Sequence, residues 1–82
     1  MKGGEIMNNT RRKEIDRLIT LATDVLEELE TVRDGEQEAY DNMPESLQAS
    51  ERGEIAEEAT ASLDEAIEGL EQAIEAMNNA TG

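Results

Sequence analysis

Cysteine, histidine, phenylalanine and tryptophan are all absent from this 82-residue chain, and Tyr40 is its one aromatic residue. Without thiols or imidazoles there can be no disulfide framework, no thiolate or histidine zinc site, and no Cys–His or Ser–His–Asp machinery. The packing material left is Leu, Ile, Val, Met and Ala, which suits helix interfaces better than sandwiches or barrels. No apolar run approaches the roughly 20 residues of a membrane-spanning helix, and no apolar core of a signal peptide is present near the N-terminus. A cytoplasmic location is the expectation. Positive charge is also scarce: seven Lys and Arg face 21 Asp and Glu, for a net charge of −14. That balance disfavours direct binding to nucleic acid or to an anionic membrane. The imbalance is uneven, because residues 35–82 carry thirteen acidic side chains and one basic one, Arg52.

The first residues, MKGGEIM, can be back-translated to a purine-rich ribosome-binding sequence just before the codon of Met7. One reading makes Met7 the natural start and residues 1–6 a translated leader of a bacterial or bacteriophage gene. The other makes this an ordinary flexible tail.

What is present is helical periodicity. Asn8, Asn9 and Thr10 offer N-caps, and the apolar residues that follow step by three and four. Written as heptads, Ile15, Ala22 and Leu29 take position a, Leu18, Val25 and Val32 take d, and Ile19 and Leu26 take e. Gly35 could end the helix, but Ala39, Tyr40 and Met43 keep the phase, so continuation is expected. The break comes at DNMPES, where Pro44 disfavours helix at Met43. Ser50 then offers a cap for a second helix, with Glu51 and Glu54 favourably placed in its first turn. In that helix LDEAIEG is followed by LEQAIEA, placing Leu63 and Leu70 at a, Ala66 and Ala73 at d, and Ile67 and Ile74 at e. The expected organisation is a leader at 1–9, a helix at 10–41, a connection at 42–50 with one helical turn near Ser46–Ala49, a helix at 51–78 and a frayed end at 79–82.

Two long helices joined so closely should pack antiparallel, so the expected fold is all-α, a two-helix coiled-coil hairpin. One register opposes Val25 with Leu70, Leu29 with Ala66, Val32 with Leu63 and Tyr40 with Ile55. A competitor one heptad tighter opposes Ile15 with Ala73 and Leu29 with Ala59. The basic cluster Arg11, Arg12, Lys13 and Arg17 sits unfavourably at its own helix start, and Glu68, Glu71 and Glu75 would neutralise it across the hairpin. A hairpin this small cannot enclose a full core. Association into a dimer or tetramer is therefore expected, through the surplus apolar residues Ile19, Leu26, Ile67 and Ile74.

No arrangement of residues supports catalysis, a metal or a cofactor. Carboxylate pairs such as Glu54 with Glu58 lie on a hydrated helix face, where nothing would raise a pKa. No Asp-rich calcium loop exists, and Gly35, Gly53 and Gly69 are isolated rather than grouped as in a phosphate-binding loop. Two binding surfaces are expected instead. The first is the acidic ridge Glu54, Glu57, Glu58, Asp64, Glu65, Glu68, Glu71 and Glu75, which could imitate nucleic-acid phosphates before a basic protein surface. Its plain reading is a solvated face, although the excess of charge exceeds what solubility needs. The second is the concentration of Tyr40, Met43 and Leu47 at the hairpin tip, either a binding hot spot or the packing of the open end.

The stretch EQEAYDNMPESLQASERGE at 36–54, and within it YDNMPESLQ and SERGE, resembles a group of short uncharacterised acidic helical proteins of bacteriophages, prophages and mobile elements. The resemblance implies a mobile-element setting, in which small acidic inhibitors of host defence nucleases occur, and carries over no binding residue. Together these features lead to a nonenzymatic protein-binding module. Its leading form is an inhibitor presenting an acidic helical face to a basic host protein, and its rival is an assembly coiled coil whose activity is self-association.

Overall fold

The computed structural model describes residues 8–81. The expectations for a leader at residues 1–6 and a start at Met7 lie outside the described residues. Three helices make up the chain, α1 (Asn9–Asp41), α2 (Glu45–Gln48) and α3 (Glu51–Thr81), in a body of 64 × 17 × 13 Å. No strand occurs among the described residues.

Local chemistry explains the boundaries. Asn8 is extended, with φ −72° and ψ 164°, and its Oδ1 accepts the Arg11 amide at 2.9 Å, which satisfies one of the free amides of the first turn. Helix α1 passes through Gly35 and stops before Met43 and Pro44. The amides of Leu47 and Gln48 both donate to the Pro44 carbonyl, closing the short turn of α2. Ser50, expected to cap α3 with its side chain, points the other way: its hydroxyl donates to the Leu47 carbonyl and closes α2. Its backbone carbonyl accepts the Glu54 amide at 3.1 Å to begin α3. The last helix reaches Thr81, so residues 79–81 are helical rather than frayed, and the Thr81 hydroxyl lies 3.1 Å from the Asn78 carbonyl.

Helices α1 and α3 lie side by side. Arg33 Nε donates to Asp64 at 2.8 Å, and one heptad further along α1 Tyr40 lies beside Glu57, one heptad earlier in α3. Residue numbers thus rise along one helix as they fall along the other. Extending the pairing by equal steps puts Leu26 level with Glu71, Leu29 with Glu68 and Asp16 with Thr81. The tighter register, which would bring Arg33 level with Ile55, does not occur, and the other is off by about two residues.

That shift comes from a difference in seam phase. On α1 the less exposed positions are Ile15, Ile19, Ala22, Thr23, Leu26, Leu29, Arg33, Glu36, Gln37 and Tyr40; on α3 they are Gly53, Ala56, Ala59, Thr60, Leu63, Ile67, Leu70, Ile74, Met77 and Thr81. Ile19, Leu26, Ile67 and Ile74, expected at an oligomer interface, therefore lie on the faces that α1 and α3 turn to one another. Leu18, Val25 and Val32, expected in the seam, are 43%, 47% and 54% exposed. Ala66 and Ala73 are exposed as well. The physical reason is bulk, since an isoleucine removes far more apolar surface from water than an alanine does.

The interior is thin. Gly53, Ala56 and Thr60 are the buried residues of α3, and no large side chain among the described residues is fully buried. Burial concentrates where α2 crosses the start of α3. A β-carbon at Gly53 would collide with the backbone of Gln48, so glycine is what lets the connection close.

Candidate functional site

Once the seam is fixed, helical geometry assigns every flanking residue to one side of the α1–α3 pair. The positions just after the seam residues are acidic. On α3 they hold Glu54, Glu57, Asp64, Glu68, Glu71 and Glu75, all exposed. Six of the eight carboxylates expected in the ridge thus share one face, whereas Glu58 and Glu65 project from the outer edge of α3. Helix α1 adds Glu27, Glu30, Asp34 and Asp41 to the same side. This second row escaped the sequence reading because α1 also carries most of the basic residues, which mask its acidic side.

Arg33 is the cation of this face. Its Nε donates to Asp64 at 2.8 Å and its Nη1 lies 3.4 Å from Asp34. The hydrogen bond to Asp64, followed by that carboxylate's charge, raises the guanidinium pKa above its usual value. Among the described residues the ion pairs are those of Arg33. Arg11, Arg12, Lys13 and Arg17 are exposed and do not reach Glu68, Glu71 or Glu75. Register explains this: α3 ends level with Asp16, so Arg11, Arg12 and Lys13 extend past it, and Glu75 lies level with Ala22, more than a turn from Arg17.

At the closed end Tyr40 and Met43 are half-buried, whereas Leu47 is 37% exposed. Gln48 Nε2 donates to the Tyr40 carbonyl at 2.9 Å, which ties the connection to α1. Partial burial of the phenol, reinforced by the charge of Glu57 beside it, raises the Tyr40 pKa above its usual value.

The opposite side of the pair carries a different surface, three of whose residues, Leu18, Val25 and Val32, were expected in the seam. Leu18, Leu21, Val25 and Val32 of α1 and Ile55 of α3 are exposed large apolar residues. Val25, Glu28, Leu29 and Val32 line a shallow open depression there. The neighbouring flank of α3 holds Ala59, Ser62, Ala66, Gly69 and Ala73. The signal was a second series stepping by three and four, 18, 21, 25, 28, 32, 35, interleaved with the first.

Among the described residues no group of three or more Asp and Glu is arranged to hold a metal ion, and no helix is long and apolar enough to cross a membrane. A scan against protein-family models finds no match, and no curated protein or solved structure matches the chain.

Proposed function

We propose that the chain is an antiparallel coiled-coil hairpin acting as a nonenzymatic protein-binding module, with the acidic face as its contact surface. The observation that carries this reading is the placement of carboxylates from both long helices on one side, with Arg33 set among them. Successive carboxylates along both helices fall on the order of one per 3–4 Å of axis, close to the 3.4 Å per phosphate of one nucleic-acid strand. Helices hold the array in place, so little ordering entropy opposes binding. The partner is a protein with a basic groove that ordinarily takes nucleic acid. A defence nuclease met by a phage or mobile element in the bacterial cytoplasm has that chemistry, and the chain would act as its inhibitor. Neither an enzymatic step nor a cofactor enters this function.

The test is capture from bacterial lysate on wild-type protein and on a variant carrying Glu57→Gln, Asp64→Asn, Glu68→Gln and Glu75→Gln, at about 50 mM and about 300 mM salt, below and above physiological screening. A basic protein held at low salt by wild type alone supports the reading. Equal capture by both baits, insensitive to salt, overturns it. The assembly reading rests on the exposed residues Leu18, Leu21, Val25 and Val32, which the acidic face does not use.

A further inference from the structure

We propose that the uncharged side of the α1–α3 pair is seated on a second copy of this chain, with α1 of each copy lying along α3 of the other. This inference does not rest on the acidic face binding anything.

The first ground is exposed apolar bulk in a molecule whose own interior is thin. Leu18, Leu21, Val25 and Val32 are between 43% and 54% exposed and share one stripe. Isolated exposed leucines are ordinary, but a continuous stripe marks an interaction surface.

Shape supplies the second ground and names the occupant. The facing stripe of α3 is made of small residues, and in the antiparallel order the two stripes match layer by layer. Leu21 falls beside Ala76, Val25 between Gly69 and Ala73, and Val32 between Ser62 and Ala66. Nearer the connection Gly35 falls beside Ser62, and Ala39 between Ile55 and Ala59. Along the leucine and valine part of the stripe, large residues on one helix meet small ones on the other, which is how ridges and grooves interlock between helices. Turning one copy about the long axis presents each α1 to the other's α3, so a single surface satisfies both halves of a two-fold contact.

Glycine placement is the third ground. Gly35 and Gly69 sit inside long helices, where glycine weakens the helix, and a β-carbon at either would meet nothing within 4 Å in the chain itself. Neither is explained by its own fold, and both lie on this face, where missing side chains let a second backbone approach closely.

Area and charge are consistent with this contact. The body offers a side of 64 × 17 Å, room for the roughly 800 Å² that each partner gives to a stable interface. Two bodies of net charge −14 can meet only where carboxylates are few, and along this stripe Glu28 stands alone between the apolar layers. The other two-fold arrangement, α1 against α1, would crowd leucine and valine against leucine and valine and leave small residues facing small ones on α3, which is poorer interlocking.

Sedimentation equilibrium of the full chain should give twice the 9.0 kDa of the monomer, with an association that tightens severalfold as salt screens the mutual repulsion. Val25→Glu should return it to the monomer mass while the helical spectrum stays in place. Because the chain has no cysteine, cross-linking reads the arrangement even if that variant unfolds. Val25→Cys mixed with Gly69→Cys should give a mixed disulfide far in excess of either variant alone. A wild-type chain that remains monomeric at the highest concentration overturns the proposal, as does a dimer that survives Val25→Glu. A disulfide formed preferentially between Val25→Cys and Val32→Cys overturns the α1-on-α3 arrangement.

Discussion

The two broad sides of the α1–α3 pair are built on the same helices and differ in nearly every other respect. One carries carboxylates from both helices around Arg33; the other carries a single stripe of leucine and valine facing alanine, serine and glycine. Between them runs a seam too thin to bury any large side chain fully. The contrast separates two tasks that a small acidic protein must combine. Charge that would repel a second copy is gathered on one side, which leaves the other free for close contact. The two sides should respond to salt with opposite signs, weakening a basic partner's hold on the first and strengthening self-association through the second.

The largest effect should come from the seam that both sides share. Replacing Leu26 or Leu70 with Ala should cost about 2–3 kcal/mol in urea unfolding, at the low end for a leucine because neither is fully enclosed. Val32→Ala, at 54% exposure, should cost under about 0.5 kcal/mol when measured at high dilution. Equal losses at Leu70 and Val32 in dilute solution would mean that the seam phase described here is wrong.

Next in size is the response of the acidic side to proton uptake. With a net charge of −14 and a pI near 4.1, lowering the pH from 7 towards 4 removes repulsion across the two carboxylate rows. The opposing loss is the Arg33 pair with Asp64 and Asp34, exposed and worth little by comparison. Helicity and thermal midpoint should therefore rise, followed by circular dichroism. Acid unfolding beginning above pH 5 would show that paired carboxylates outweigh the repulsion. The Gln and Asn variants of Glu57, Asp64, Glu68 and Glu75 should gain stability at pH 7 and lose this pH response, whereas Val25→Glu should strengthen it.

Smaller again is the effect of filling the bare helix positions. Gly69→Ala should stabilise the dilute, unassociated chain by roughly 1 kcal/mol, since nothing in the chain occupies the space its β-carbon would take. In concentrated solution the same change should weaken self-association, because the methyl group meets Val25 of the second copy. Urea midpoints measured across a concentration series would show the two signs crossing. Uniform stabilisation at every concentration would remove Gly69 from the interface.

Much of the helical layout was legible in the sequence. A cap among Asn8, Asn9 and Thr10, the continuation of α1 past Gly35 despite its glycine, the break at Pro44 and a helical turn after it were expected from local chemistry. The phase of the seam was harder, because two apolar series interleave on α1. Ile15, Ala22 and Leu29 can pair with Leu18, Val25 and Val32 or with Ile19 and Leu26, and on α1 hydrophobicity does not choose between them. On α3 the choice was available in the bulk of Ile67 and Ile74 over Ala66 and Ala73. Arg33 and Glu36 as seam residues had no apolar signal at all. Their place follows from register, which puts Arg33 within reach of Asp64. The acidic ridge of α3 was visible as a run of carboxylates, but its second row on α1 required the relative rotation of the two helices, a property of their packing rather than of either sequence.

The smallest expected effect belongs to the closed end, where the acidic side touches the seam. Tyr40 is raised above its ordinary pKa first by partial burial and then by the charge of Glu57. The folded chain therefore holds the phenol proton more tightly than the unfolded chain does. Below about pH 10, the usual tyrosine value, both states keep the proton and this group is neutral towards stability. As pH rises past that value the unfolded state loses its proton first, so stability falls until the folded pKa is also passed. With Tyr40 the sole aromatic residue, ultraviolet absorbance of the phenolate reads this one group without interference. The titration midpoint should lie above that of free tyrosine and move down in Glu57→Gln, by less than the full shift because burial remains. A midpoint at the free value in the wild type would detach Tyr40 from both α3 and the acidic side. One unchanged by Glu57→Gln would leave burial and the charge of Asp41 as the causes and place Glu57 too far from the phenol to act on it.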